Sequence, residues 1–150
     1  MKQRDRVTMT DAEVEDFLAA GRKLQLATIG PDGMPHLVTM YYAVLDGQIT
    51  FWTYRASQKA LNLARDPRVS CLVETGEAYF DLRGVQVQGT VARIEDPDAV
   101  RRIGHAIAVA MSGGPDQADD YVEQAARKRV GFAVQPARVI SWDHAKLLTA

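Results

Sequence analysis

Tight turns between short alternating segments constrain the fold of this chain more than any other feature of its sequence. From Leu24 onward, apolar and polar residues alternate with the period of two that is typical of a half-buried strand. Residues 30–33 read Gly-Pro-Asp-Gly, a strong turn signal because proline presets φ and glycine accepts positive φ. The pair Asp46-Gly47 is a two-residue hairpin signal. These turns predict an antiparallel meander and not alternating βαβ units.

The rest of the chain extends this meander with further strands. The segment 36–44 is apolar on both faces, so we expect both of its faces to be covered. Gly84 and Gly89 lie inside a long strand or pair of strands, where glycines mark the bulges and bends by which a sheet curls into a barrel. We therefore predict a mainly β (α+β) fold, a small antiparallel barrel of six or seven strands with short helices, as one domain over residues 1–150. The strands after the first turn are predicted at residues 36–44, 48–53, 69–74, 80–95, 130–134 and 139–142.

Short helices are predicted between these strands. Thr10 and Glu13 have the spacing of a capping box at the start of the first helix, and Gly21 is expected to end it in a left-handed cap. Asp96-Pro97 is a typical start for a later amphipathic helix. The further helices are predicted at residues 57–65, from 97 to a break at 112–115, and around 121–125.

The charge balance and the single cysteine exclude several classes of protein. With 18 basic and 19 acidic residues, the formal charge is −1, whereas binding to a nucleic-acid backbone requires a surplus of cations. One cysteine cannot form an internal disulfide, and Cys71 lies in an apolar run, where it is expected to be a small buried hydrophobe. No apolar stretch approaches the length of a membrane helix, and the charged N-terminal residues are not followed by a signal-peptide core. We therefore expect a cytoplasmic protein that binds neither nucleic acid nor membrane.

Familiar catalytic signatures are missing from the sequence. It contains no G-x-S-x-G elbow, no phosphate-binding Walker loop and no G-x-G-x-x-G unit between a strand and a helix. His36, His105 and His144 are widely separated, and separate structural roles are expected for them. No metal site is predicted, and no catalytic residue is assigned.

Residues 53–59 hold the one local cluster with the chemistry of an anion site. Thr53, Arg55, Ser57 and Lys59 offer two hydroxyls and two cations where a strand ends and a helix begins. The free amides and the dipole of a helix N-terminus favour negative charge. The same residues also suit a solvated loop in which Ser57 only caps the helix, and the local sequence leaves both interpretations open.

Several motifs in order resemble the flavin-binding split-barrel superfamily related to pyridoxamine 5′-phosphate oxidase. The most specific is the run Lys-x-x-Asn-Leu-x-x-Asp-Pro-Arg-Val that begins at Lys59. The resemblance covers about residues 24–95 and implies a split β-barrel of Greek-key type. The other motifs that carry it lie at residues 27–36, 51–53, 57–60 and 85–91.

The resemblance also implies the ligand and the assembly. Members of the superfamily are homodimers whose cofactor lies in a groove between subunits. By position, Thr53, Ser57 and Lys59 would hold the cofactor phosphate. Val38, Thr39 and Met40 would lie against the ring system.

Where this chain differs from the oxidases, it looks closer to small relatives that use the deazaflavin coenzyme F420. The oxidases carry Arg and Lys at positions that are here Val38 and Ala43, and an Arg at the position of Gln58, which remains in the expected cofactor site. Each missing cation removes a charge-assisted bond to flavin mononucleotide (FMN). The oligoglutamate tail of F420 would follow a cationic track, for which the candidates are Arg55, Arg65 and Arg68; the last two also have a local acid, Asp66, as a possible partner.

The function that the resemblance implies is hydride transfer from reduced F420 to a small organic acceptor by a homodimeric reductase. Two alternatives remain open: an FMN-dependent oxidoreductase that uses the same groove, and a non-enzymatic carrier or sensor of F420 or flavin. Tyr41, Tyr42 and Trp142 are candidates to line the substrate side, and packing in the core or the dimer interface is an equal alternative for them.

Overall fold

Seven antiparallel strands form one sheet in the part of the chain that the structure describes. This computed structural model describes residues 1–112 and 119–149. The sheet and its short helices confirm the predicted mainly β (α+β) class. The strands are β1 (Lys23–Ile29), β2 (Pro35–Tyr41), β3 (Ala43–Leu45), β4 (Gln48–Tyr54), β5 (Arg68–Thr75), β6 (Arg83–Ile94) and β7 (Arg129–Asp143). The α-helices are α1 (Gln3–Val7), α2 (Asp11–Ala20), α3 (Gln58–Arg65), α4 (Pro97–Ser112) and α5 (Asp119–Ala126).

The sheet curls into a barrel that is not closed, because its two edge strands do not pair with each other. Its strand order is β2-β1-β5-β6-β7-β4-β3, so the edges are β2 and β3. Both predicted turns are confirmed. Asp46 and Gly47 have φ angles of 52° and 78°, the left-handed pair that a two-residue hairpin between β3 and β4 requires.

The predicted alternation in β1 sets the inner face of the barrel. Leu24, Leu26 and Thr28 are all 2% exposed or less. They join side chains of the other strands, including the stacked pair Phe51 and Phe132, whose ring centroids are 5.5 Å apart. Burial of each such aliphatic or aromatic side chain stabilises the fold by roughly 1.5–3 kcal/mol.

Gly89 lies at a bulge that bends β6 against β7, as predicted for a glycine within this strand. The register shifts there, because Gly89 pairs with Pro136 while Gln88 pairs with Arg138, which leaves one extra residue on β7. A Cβ at position 89 would overlap the Gln135 carbonyl, so a larger residue cannot take this place without moving the backbone.

The segment 36–44 is not one continuous strand, contrary to the prediction. The ladder breaks at Tyr42, whose ring is fully buried and whose hydroxyl donates to the Leu18 carbonyl at 2.6 Å. The expectation that both faces are covered is also wrong for a single chain, because Leu37 on the outer face of β2 is 66% exposed.

Three further boundaries differ from the sequence prediction. β6 begins at Arg83 after a 3-10 turn (Tyr79–Asp81), and the two closing strands are one strand, because the bulge accommodates Pro136. Gly21 is extended, with φ −75° and ψ 161°, and not left-handed. Glycine is needed there for space, because a Cβ would overlap the Tyr42 hydroxyl. Of the predicted break at 112–115, Ser112 ends α4 and the other residues lie outside the described ones.

Thr10 and Glu13 form the predicted cap at the start of α2. Thr10 Oγ1 accepts a hydrogen bond from the Glu13 amide at 3.2 Å, as expected. The Glu13 carboxylate also forms an ion pair with Lys146, whose Nζ lies 3.0 Å from it. That contact with Lys146 lowers the pKa of Glu13.

Gly104 lets α4 pack closely on Trp52, and replacing it gives a first testable prediction. A Cβ at position 104 would overlap the Trp52 ring and approach Val122. Alanine in a helix interior is normally favoured over glycine by about 1 kcal/mol. We expect Gly104→Ala to destabilise the protein instead, by about 1–3 kcal/mol, because overpacking dominates. Urea unfolding measures this, with Val109→Ala on the exposed face of α4 as control; a more stable Gly104→Ala variant would contradict this packing.

Candidate functional site

The end of β4 and the start of α3 bring together the hydroxyls of the predicted anion site. Thr53, the next-to-last residue of β4, is 5% exposed, and its hydroxyl donates to Ser57 Oγ at 3.1 Å. Ser57 is the N-cap of α3 and accepts the Ala60 amide at 3.2 Å. The first amides of a helix have no acceptor within the helix, so those of Gln58 and Lys59 remain open to a ligand or water. Capping and anion binding are therefore compatible here.

Lys59 adds a cation on the first turn of α3. Its side chain is half-buried, and this burial lowers the pKa of its amine. Within residues 1–112 and 120–149, whose side chains are described, no carboxylate lies at ion-pair distance from it. A partly desolvated cation without an acidic partner is suited to an anionic ligand.

Lys59 opens into a groove between β2 and β4, which we call the β2–β4 groove. Its volume is about 270 Å³. The residues that line it belong to β2, β4, α3, α4, α5 and β7. The lining residues are Thr39, Met40, Tyr41, Trp52, Thr53, Tyr54, Lys59, Ile107, Met111, Tyr121 and Arg129.

Of the three residues predicted to face a ring system, two line the groove. Met40 packs partly against the barrel core and reaches the groove, and Thr39 lines it with its hydroxyl donating to Gln25 Oε1 at 2.9 Å. Val38 packs against the core and does not line the groove. Val38 and Met40 share the inner face of β2, because side chains two apart on a strand point to the same side, and of these two only Met40 reaches the groove.

Two other expected cofactor residues are engaged elsewhere. Arg55 Nη1 donates to the Arg127 carbonyl at 2.7 Å, and Arg55 lines a different groove. Gln58 lies beside the site, but its amide donates to Asn62 Oδ1 at 2.7 Å. In the single chain, neither side chain lines the β2–β4 groove.

The cationic track of Arg55, Arg65 and Arg68 is not assembled. Arg65 donates to the Ile29 carbonyl, and Arg68 pairs with Asp66 at 2.8 Å. The side-chain hydrogen bond from Arg68 lowers the pKa of Asp66 to about 2. The alternative, in which Arg68 pairs with a local acid, is therefore the one observed.

Arg129 is a groove cation that the sequence analysis missed. It begins β7 directly opposite Tyr54, and its guanidinium lies 4.1 Å from the Tyr54 ring centroid and 5.0 Å from that of Trp52. The only signal for it would have been the pairing of β4 with β7. That pairing joins segments about 75 residues apart in sequence and has no local signature.

The three aromatic candidates for the substrate side separate in the structure. Tyr41 is 38% exposed and lines the groove. Tyr42 belongs to the core, where burial raises the pKa of its hydroxyl to about 12. Trp142 lies over Gly84 near the far end of β7 and does not line the groove.

A buried polar network holds α3 against β1. Asn62 is fully buried, and its amide nitrogen donates to Thr28 Oγ1 at 3.1 Å. Its oxygen accepts from Gln58 and, at 3.4 Å, from Arg65 Nη2. Because Asn62 lies one turn after Lys59, this network fixes the start of α3 relative to the sheet.

A larger groove of about 650 Å³ is lined by residues of β1, β2, β5, β6 and β7. None of the predicted cofactor residues lines it, and none of its lining residues comes from the start of α3. Of its two cations, Arg68 is already paired with Asp66. Its size alone therefore does not make it the better candidate, and the charge and hydrogen-bond donors favour the β2–β4 groove.

The remaining reactive side chains form no second centre within the described ranges 1–112 and 119–149. Cys71 is buried in the barrel, which raises the pKa of its thiol to about 12, as expected for a packing residue. No three histidine, cysteine or acidic side chains in those ranges are grouped as metal ligands would be. In the same ranges, no helix has the length and hydropathy needed to cross a bilayer.

Comparisons with known proteins agree with this architecture. A sequence model described as pyridoxamine 5′-phosphate oxidase matches residues 10–143. The pyridoxine/pyridoxamine 5′-phosphate oxidase of Cupriavidus taiwanensis is 27% identical over 147 residues, which cover 92% of this chain and 68% of that protein.

Solved structures share the fold. The conserved hypothetical protein Rv2991 from Mycobacterium tuberculosis is 46% identical with a TM-score of 0.91, covering 100% of this chain and 94% of that chain. An F420 reductase is 22% identical with a TM-score of 0.60, covering 83% and 94% of the two chains. The haem storage protein HutZ from Vibrio cholerae is 16% identical with a TM-score of 0.67, covering 87% and 94%.

The matched range 10–143 contains all the strands of the sheet and every residue that lines the β2–β4 groove. The chain belongs to the pyridoxamine 5′-phosphate oxidase family, whose members are flavin-binding oxidoreductases with a split-barrel fold.

Proposed function

We propose that this protein binds F420 in the β2–β4 groove and transfers hydride from the reduced deazaflavin to a small organic acceptor. The observation that carries the proposal is Lys59. It is a half-buried cation on the first turn of α3, in a groove lined by aromatic and apolar side chains. Phosphate oxygens are strong acceptors, so a phosphate is well suited to bind a lysine amine, hydroxyls and free helix amides, all of which donate.

The residues present fit a cofactor phosphate at the start of α3. Lys59 supplies the charge, and the amides of the first turn supply directed donors. Thr53 and Ser57 already hold each other in place, so little side-chain entropy remains to be lost on binding.

The walls of the groove fit a flat ring system. Met40, Tyr41 and Trp52 supply apolar and aromatic surface between the two edges of the split barrel. The volume of about 270 Å³ is slightly below the roughly 300–1,000 Å³ of complete small-molecule sites. We therefore propose that a second copy completes the site in a homodimer, and that its surface covers the exposed outer face around Leu37.

F420 is preferred to FMN because of the cations that the groove lacks. Val38 packs into the core, Ala43 starts β3, and the Gln58 amide is bound to Asn62, so none of these three positions supplies charge to a phosphate monoester. Each lost charge-assisted bond weakens FMN binding by about 1.5–3 kcal/mol. The fold shared with an F420 reductase supports the same preference at the level of architecture.

The protein contributes binding and orientation, whereas the cofactor carries the chemistry. A reduced deazaflavin supplies a hydride when it is bound. Lys59 and α3 would hold the phosphate end, and the apolar and aromatic lining would hold the ring plane. Tyr41 and Tyr121 line the groove and are exposed to solvent, so an acceptor would enter beside them. Because this division of labour needs no acid–base dyad in the protein, it accords with the lack of catalytic signatures in the sequence.

Binding titrations of the purified protein with F420 and FMN test the proposal. We expect F420 to bind more tightly than FMN, because it does not depend on the missing cations. Reduced F420 should then be oxidised by at least one electron-poor acceptor. Tighter binding of FMN would favour the FMN-dependent alternative. F420 binding without turnover of any acceptor would favour a carrier or sensor, and binding of neither cofactor would overturn the proposal.

A further inference from the structure

The β2–β4 groove has a second cation, Arg129, which belongs to a different element from Lys59. Arg129 starts β7, whereas Lys59 is on α3, and both line the groove. Because a lysine and an arginine on separate elements face one groove, the groove can hold two anionic groups of one ligand.

The guanidinium of Arg129 is held in one orientation by three contacts. It lies over the rings of Trp52 and Tyr54, and Nη1 donates to the Ala125 carbonyl at 3.1 Å. Only one of the five N–H donors of the guanidinium is used in that bond. Among the described side chains of residues 1–112 and 120–149, no carboxylate lies at ion-pair distance from Arg129.

The two cations favour different anions. A planar guanidinium matches the planar, two-oxygen geometry of a carboxylate, and fixing its plane on aromatic rings strengthens this preference. The amine of Lys59 is a point charge beside helix amides, which suits the tetrahedral phosphate group.

We infer that Arg129 binds a carboxylate of the cofactor and thereby distinguishes an acid-tailed deazaflavin from FMN. This inference rests on the proposed function, because it takes the β2–β4 groove as the cofactor site. It replaces the track of Arg55, Arg65 and Arg68, whose side chains are engaged elsewhere.

The test compares Arg129→Met and Arg129→Lys with the original protein in titrations with F420 and FMN. Methionine keeps a long side chain over the two rings but removes the charge, and lysine keeps the charge without the planar fork. We expect Arg129→Met to weaken F420 binding about three- to tenfold and to change FMN binding less than twofold, with Arg129→Lys in between. Thermal unfolding verifies that each variant is folded, and Arg4→Ala, an exposed site on α1, is the matched control.

The outcomes separate this inference from the proposed function. Equal losses for both cofactors, or no loss for either, would overturn the role of Arg129 while F420 binding itself stands. If the unsubstituted protein binds F420 but not FMN, the comparison uses F420 with short and with long oligoglutamate tails. Arg129→Met should then remove the higher affinity for the longer tail. An unchanged advantage would overturn the inference, and binding of neither cofactor would overturn both proposals.

Discussion

Lys59→Ala is expected to weaken binding of F420 about 10- to 150-fold, the largest effect that a single groove substitution should have. A hydrogen bond to a charged group is worth about 1.5–3 kcal/mol, and each 1.4 kcal/mol corresponds to tenfold in affinity. The fold should be retained, because burial without an acidic partner already disfavours the charged amine. Isothermal titration measures the loss, and thermal unfolding verifies the fold.

A matched control separates a local contact from general electrostatics. Lys2→Ala removes the same charge from an exposed position near the N-terminus and should leave the affinity within twofold. Lys59→Arg should retain most of the binding, since the charge stays. Unchanged affinity in Lys59→Ala would refute the phosphate assignment, and an equal loss in Lys2→Ala would reduce it to a long-range effect of net charge.

The pH dependence of cofactor binding provides a second test of Lys59. Burial lowers the pKa of Lys59 below its ordinary 10.5, so the amine loses its proton at a lower pH than an exposed lysine does. Affinity for the phosphate group should therefore fall as the pH rises through that lowered pKa. In Lys59→Arg this alkaline loss should be absent, because an arginine stays protonated.

The strands and turns could be predicted because their signals are local. Alternation in β1 and the pair Asp46-Gly47 specify a strand and a hairpin within a few residues, and both are found. The predictions failed where a distant contact decides the conformation. Position 21 requires glycine because the Tyr42 hydroxyl occupies the space of a Cβ, and Tyr42 interrupts the second strand where its ring enters the core.

The same difference between local signals and distant contacts applies to the residues of the candidate site. The start of α3 is encoded within one segment, so Thr53, Ser57 and Lys59 could be identified together and do lie together. Arg129 could not, because it enters the groove through a ladder between distant strands. The position of Arg55 could not be predicted for a related reason: its guanidinium bonds to the carbonyl of Arg127, which no local pattern reveals.

Asn62→Ala is expected to lower the free energy of unfolding by about 2–4 kcal/mol, because it removes a fully buried amide and leaves the buried Thr28 hydroxyl without its donor. Thr28 loses its bond from the Asn62 amide, and Gln58 loses its acceptor. Urea unfolding of the cofactor-free protein measures the loss. The control is Leu61→Ala in the same helix, because Leu61 is 52% exposed. This substitution should lower the free energy of unfolding by about 0.5 kcal/mol or less.

The same substitution should also weaken cofactor binding in a way that depends on Thr28. If Asn62 acts by holding α3 on β1, Thr28→Val should reproduce part of the effect. The double variant should then be less destabilised than the sum of the single ones, with a coupling of about 0.5–3 kcal/mol. Additive losses would show that Asn62 and Thr28 act separately. A normal F420 affinity in a folded Asn62→Ala variant would show that the phosphate end of the groove does not need this anchor, because the amides and Lys59 at the start of α3 would then hold their places without it.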